Sequence, residues 1–216
     1  MNIAVSGCTH GNLDLLYQEV NKLQDSKNIK VSLLLCTGDF HAIRDFEDLD
    51  SMTCPAKFRK LGDFHKYYTG QAVAPVTTVF IGGNHESVSH MHEFQNGGWV
   101  APNIYYMGRV GVIKFGDLRI AGLSGIYHQK DYFKNVPTRY TPAAIKTLYR
   151  YRKFEVENLM RISPPDIMLS HDWPRGIYHY GDIEQLIRKK PFFKEEIYAN
   201  QLGSPSTEEL LEVLKP

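Results

Sequence analysis

Four short apolar runs in this chain each stop abruptly at polar residues of a metal-binding type, and that pattern constrains the fold more than any other feature. Residues 2–6 lead into Gly7-Cys8-Thr9-His10, residues 31–36 into Thr37-Gly38-Asp39, residues 76–81 into Gly82-Gly83-Asn84-His85-Glu86, and residues 166–170 into His171-Asp172. A run such as Val-Ser-Leu-Leu-Leu-Cys has no solvent-facing alternation, so it reads as a strand covered on both faces. Strands of that kind alternate with helices, and ligands then bind beyond their carboxyl ends. The glycines let the backbone turn sharply and come close to a ligand.

The intervening residues fit this plan. Leu13, Leu16, Tyr17, Val20 and Leu23 recur at helical spacing and predict a helix over about 12–24. Pro55 predicts a helix start, continuing through Tyr67, and another helix follows Glu86, with His90 and His92 on different faces of a surface helix. Residues 104–107, 110–115 and 118–123 read as short strands, the last two joined at Gly116-Asp117 as a hairpin. One long helix is predicted over about 142–162, and two more over about 182–190 and 206–214. The hairpins make the sheet mixed, so the fold class is α/β, and no linker divides residues 1–216 into two domains.

Composition excludes several classes. The 216 residues suffice for a core without staples, and a net charge of +1 gives no global basic field, so any nucleic-acid contact must be local. Three cysteines, Cys8, Cys36 and Cys54, without a signal segment read as a reduced intracellular chain. No apolar stretch approaches the roughly 18 residues of a membrane span.

Cysteine, histidine, aspartate and asparagine at four strand ends form a metal-ligand vocabulary, and imidazole with thiol favours zinc, iron or manganese over calcium or magnesium. Each residue alone has a plainer role: Cys8 as a small hydrophobe, Gly38-Asp39 as a turn, Asn84 as a helix cap. The four together argue for one site.

With these residues in view, the chain resembles the calcineurin-like metallophosphoesterases. Cys-x-His-Gly at 8–11, LLLCTGDF, FIGGNHE, GGWVAPNIYY, GLSGIY and LSHDWPRGIYHYG are similar, within that superfamily, to the RNA lariat debranching enzymes over essentially the whole chain. Cys8 stands where the superfamily usually has aspartate. The resemblance implies a layered α/β/β/α sandwich with mixed sheets, lacking its last strands. It implies two divalent metal sites (Fe2+, Zn2+ or Mn2+), with Cys8, His10 and bridging Asp39 on one side and Asn84 and His171 on the other. His85 would protonate the leaving 2′-oxygen, and Glu86 would orient His85 or shape the pocket. The implied reaction is hydrolysis of the 2′–5′ branch-point phosphodiester of intron lariat RNA in the nucleus, by a monomer with splicing-associated proteins as further partners.

Residues 124–153 are rich in Lys, Arg and Tyr, which suits pairing with phosphates and stacking on unpaired bases. The resemblance places a lariat recognition loop at about 124–151, with Tyr127, His128, Lys130, Tyr132, Lys134, Arg139 and Tyr140 as candidate RNA contacts and His179 near the pocket. Arg150, Arg152 and Lys153 alternatively form a solvated helix face. The superfamily's late Gly/Ala-His-x-His element has no counterpart after His179, so the chain is expected to be C-terminally truncated. His41, two residues past Asp39, can approach the site, although the resemblance does not use that position as a ligand. Rival readings are an inactive RNA-binding relative and a metallophosphoesterase of other specificity.

Overall fold

The computed structural model describes residues 1–138 and 141–216, so the candidate contacts Arg139 and Tyr140 lie outside the described residues. Among the described residues, eight strands form two sheets. The first contains β1 (Asn2–Ser6), β2 (Val31–Cys36), β3 (Thr78–Phe80), β4 (Gly98–Ala101) and β5 (Ile104–Tyr106), in the order β1-β2-β3-β5-β4. All its neighbours pair in parallel except β4 and β5. The second sheet has the order β6-β7-β8, from the β6 (Val110–Phe115) and β7 (Leu118–Leu123) hairpin and β8 (Ile167–Ser170), which pairs in parallel with β7.

Strand alternation builds the layers. Leu33 and Leu35 of β2, with Val79 and Ile81, pack on Met107, Ile120 and Leu169 between the sheets. Their neighbours Leu34, Cys36 and Phe80 face the other way, onto Leu13, Tyr17 and Val20 of the helix Leu13–Lys27. Beyond the second sheet, Ala121 and Leu123 meet Val156 and Leu159 of the helix Lys153–Met160 and Leu210 and Leu214 of the helix Pro205–Leu214. Burial on both sides explains the unbroken apolar runs. Each such side chain removed from water contributes roughly 1.5–3 kcal/mol. The α/β/β/α order of layers is the one expected.

Register then gathers the strand ends. Ser6 pairs with Cys36, Cys36 with Phe80, and Phe80 with Tyr106, so the chain leaves β1, β2 and β3 at one edge. Leu123 pairs with Ser170 in the second sheet, and the Gly125 N–H donates to the Gly82 carbonyl (2.8 Å), joining the exits of both sheets.

The structure corrects several local expectations. The long helix over 142–162 is two helices, Pro142–Leu148 and Lys153–Met160. Between them Arg150 forms a parallel bridge with Ile126, and the Glu155 carboxylate accepts from the Arg152 N–H (2.6 Å), starting a new helix. The expected helix from Pro55 through Tyr67 is a 3-10 turn, Ala56–Phe58, and a separate helix, Phe64–Tyr68. Gly62, at φ +65°, breaks it, and the Asp63 N–H donates to the Gly11 carbonyl (2.9 Å). His90 is buried rather than on a surface helix: its Nδ1 lies 2.7 Å from the Ala42 carbonyl, among Phe64, Tyr68 and Phe94. Strand β4 and the helix Lys194–Tyr198 were not expected.

Candidate metal centre

Asp39 is the hub where the strand ends meet. Its Oδ2 lies 4.0 Å from His10 Nε2 and 3.8 Å from His85 Nδ1, and its Oδ1 lies 3.6 Å from His171 Nε2. One donor atom each from Cys8, His10 and Asp39 falls within 4.8 Å of the others. On the far side, His171 Nε2 lies 3.3 Å from Asn84 Oδ1. The structure thus brings together Cys8, His10, Asp39, Asn84, His85 and His171.

The close approach depends on two glycines. A Cβ on Gly38, which sits at φ +106°, would fall 2.2 Å from His171 Nδ1, and one on Gly83 would fall 2.1 Å from Asp39 Oδ1. Three non-glycine residues of the site, His10, Asp39 and His41, hold left-handed backbone at φ +48°, +47° and +60°. Such conformations persist only where the surroundings impose them, and they cluster at functional sites. Here the His10 N–H donates to the Asp39 carbonyl (2.8 Å), and the Glu86 carboxylate accepts from the N–H groups of Phe40 (2.7 Å), His41 (2.8 Å) and Gly83 (3.2 Å).

Of the two roles expected of Glu86, that clamp fits the shaping of the pocket. Its carboxylate is fully buried and faces backbone rather than the His85 ring, so it shapes the site and does not orient the proposed acid. Burial, then the nearby Asp39 charge, push its pKa up to about 7 against the pull of the three N–H donors. Partial desolvation and Asp39 likewise raise the Cys8 thiol, so a thiolate there needs a cation beside it.

The donor set fits divalent metal. His171 Nδ1 lies 2.9 Å from the Thr37 carbonyl, an acceptor, so in neutral His171 the proton sits on Nδ1. The Nε2 lone pair then faces two further acceptors, Asn84 Oδ1 and Asp39 Oδ1. With neutral His171, these three lone-pair atoms converge in an arrangement that a cation among them would satisfy. Sequence reasoning did not assign His41 to the site. It is buried, and its Nε2 lies 3.2 Å from His10 Nδ1. Burial, then His10, lower its pKa to about 4, so it is neutral near pH 7.

The substrate candidates divide. Tyr127 borders a groove of about 730 Å³ whose wall also includes Asn84, His171, Trp173, Lys190 and Phe193, so it adjoins the site. Trp173 and Phe193 had not been singled out, although Trp173 lies two residues past His171 within the HDWP stretch. Tyr132 is buried against Tyr127 and Tyr151 and is a core residue, correcting its place among the RNA contacts. His128 and Lys134 lie at Asp131 (3.0 and 2.9 Å), while Lys130 is exposed. His179 is exposed, with Nε2 3.2 Å from Asn200 Oδ1, and lines a different depression. Arg150 pairs with Asp131, and Arg152 is buried and donates to the Arg150 carbonyl (2.9 Å); neither is on a solvated face. These two cations hold the chain rather than await phosphate.

The described residues within 124–151 form an excursion latched at its root by the Ile126–Arg150 bridge, with the Tyr127 N–H donating to Asp172 Oδ2 (2.7 Å). Among the described residues, no helix is long and apolar enough to cross a membrane.

Comparison with known proteins agrees with this geometry. The chain is 49% identical over 219 residues to lariat debranching enzyme A of Xenopus laevis, and 49% identical over 221 and 220 residues to the lariat debranching enzymes of Arabidopsis thaliana and Homo sapiens. In each case all of this chain aligns, but it covers only 41%, 52% and 40% of the respective relative, so it spans about half the length of the curated relatives it matches or less. The model of the calcineurin-like phosphoesterases matches residues 1–212. With that match over nearly its whole length, and the Asp39-centred donor set at its strand ends, the chain belongs to the calcineurin-like phosphoesterases.

Proposed function

We propose that this chain carries the metal-binding core of a phosphodiesterase that hydrolyses the 2′–5′ branch-point linkage of intron lariat RNA, with two sites for zinc, iron(II) or manganese. The convergence of Cys8, His10, Asn84, His85 and His171 on Asp39 carries the reading. The relatives' names supply the substrate class.

Cys8, His10 and Asp39 would hold one ion, and Asp39, Asn84 and His171 the other. Divalent ions held there would offset the charge of a phosphodiester and lower the pKa of a bound water towards neutrality. His85, partly exposed beside Asp39, protonates the departing 2′-oxygen. Glu86 keeps residues 40, 41 and 83 in place beneath it. The groove walled by Tyr127, Trp173 and Phe193 offers aromatic faces to an unpaired base next to the scissile phosphate, with Lys190 as a cation. The remainder of the 124–151 excursion, including Lys130, extends this RNA surface. The substrate assigns the protein to the nucleus, beside splicing-associated proteins, and we take it to act as a monomer.

The test is the rate of cleavage of 2′–5′ branched RNA against linear 3′–5′ RNA, with each of the three metals supplied. Preferential cleavage of the branch is expected. Equal rates on both RNAs would sink the debranching assignment.

A further inference from the structure

We propose that His41 is a positioning residue for the metal centre: its Nε2 accepts the Nδ1 proton of His10 and thereby presents His10 Nε2 to the metal as a lone pair. The inference rests on His10 being a metal ligand, not on which phosphodiester is cut.

Two of the three histidines around Asp39, His10 and His171, are arranged alike. His171 approaches one carboxylate oxygen through Nε2 (3.6 Å) and offers Nδ1 to a fixed acceptor, the Thr37 carbonyl (2.9 Å). His10 approaches the other oxygen through Nε2 (4.0 Å) and offers Nδ1 to His41 Nε2 (3.2 Å). The parallel ends at the acceptor. A carbonyl can only accept, so the tautomer of His171 is fixed by its neighbour. An imidazole can accept or donate. If His41 donated, the proton of His10 would sit on Nε2, aimed at Asp39, and His10 could not ligate. The direction of this one bond therefore decides whether the first metal site is complete.

His41 is built into the fold for this contact. It is 5% exposed, and its ring meets that of His10 edge-on, with centroids 5.0 Å apart and planes at 79°. The left-handed backbone at φ +60° turns it back toward β1, and Glu86 Oε2 fixes its N–H at 2.8 Å. The line of restraint runs from Glu86 to the His41 backbone, across the His41 ring to His10, and from His10 to Asp39. Outer partners of this kind orient a ligating imidazole, and their loss typically lowers metal affinity 10–100-fold. A competing geometry exists, because two imidazoles on one tetrahedral zinc also place their nitrogens about 3.3 Å apart. In that case His41 would itself be a ligand.

The experiment uses the 216-residue chain, zinc alone and no RNA. Long-range 1H–15N spectra of the imidazoles report which nitrogen of each histidine carries a proton and which binds metal. Zinc affinity is measured by chelator competition for the wild type, His41→Leu and His41→Gln. We expect zinc-bound His10 to be protonated on Nδ1 and ligated through Nε2, with His41 unligated. Zinc affinity of the site should fall about 10–100-fold in His41→Leu and be largely restored in His41→Gln, whose amide oxygen can accept the same proton. Ligation through His10 Nδ1, direct ligation of His41, or wild-type affinity in folded His41→Leu would overturn the proposal. Should the leucine variant fail to fold, the wild-type spectra decide alone. A wild-type chain that binds no zinc would instead overturn the metal reading on which the inference rests.

Discussion

The backbone N–H of His85 donates to Asp39 Oδ1 at 2.9 Å, while the His85 ring stands 3.8 Å from Asp39 Oδ2. One residue therefore steadies the central carboxylate with its main chain and leaves its side chain for other work. Replacing His85 with alanine removes the ring and keeps the N–H. Cleavage of branched RNA should fall by about 10²–10⁴-fold, the usual worth of a general acid. Bound metal, measured by elemental analysis, should be unchanged. Loss of metal in step with activity would reassign His85 to the ligand set.

Trp173 is 46% exposed on the wall of the groove that also holds Asn84 and His171. A tryptophan so placed is free to stack on a base. Its replacement by alanine should weaken branched-RNA binding by about 10-fold, the lower part of the range for one stacked base. Zinc affinity should be untouched. An unchanged dissociation constant in a gel-shift titration would remove Trp173 from the RNA surface.

Asp131 sits at the first turn of the excursion, where burial raises its pKa but Lys134 and Arg150 more than offset this and hold it at about 2, below the ordinary 3.8. A carboxylate depressed on folding stabilises the chain fully above about pH 4, and its contribution is lost as pH falls through 2. Asp131→Asn should therefore be less stable at pH 6 by about 1–2 kcal/mol and lose less stability between pH 4 and pH 2 than the wild type. Denaturant unfolding at several pH values reads both. Coincident curves for the two proteins would show that the ion pairs contribute nothing to folding.

The layers and the gathering of donors at the strand ends were legible because they follow from strand physics. Leu33, Leu34 and Leu35 can all be apolar only where both faces are covered, and residues such as Asp39 and Asn84 must then emerge together at the strand ends. The excursion was less legible. Cations and aromatics in its sequence suggested a surface for RNA, yet Arg152 and Tyr132 are buried and Arg150 is spent on Asp131. Composition does not distinguish a cation held by the fold from one offered to a ligand. The helical periodicity over 142–162 concealed a break, because Arg150 takes its direction from Ile126, which lies far off in sequence. The role of His41 was only partly legible for a similar reason. A left-handed turn at a non-glycine residue leaves no mark in a sequence, and only that turn sends its ring back to His10.

The bridge between Ile126 and Arg150 has a consequence for how such a protein can change. The excursion leaves and rejoins the body at nearly one point, so its ends stay put whatever lies between them. A segment exchanged there would have to keep Tyr132 and Leu148, which are buried in the body, for Asp39, His171 and both sheets to stay in place. Within that limit, the donors at the strand ends and the segment beside them can evolve on separate clocks.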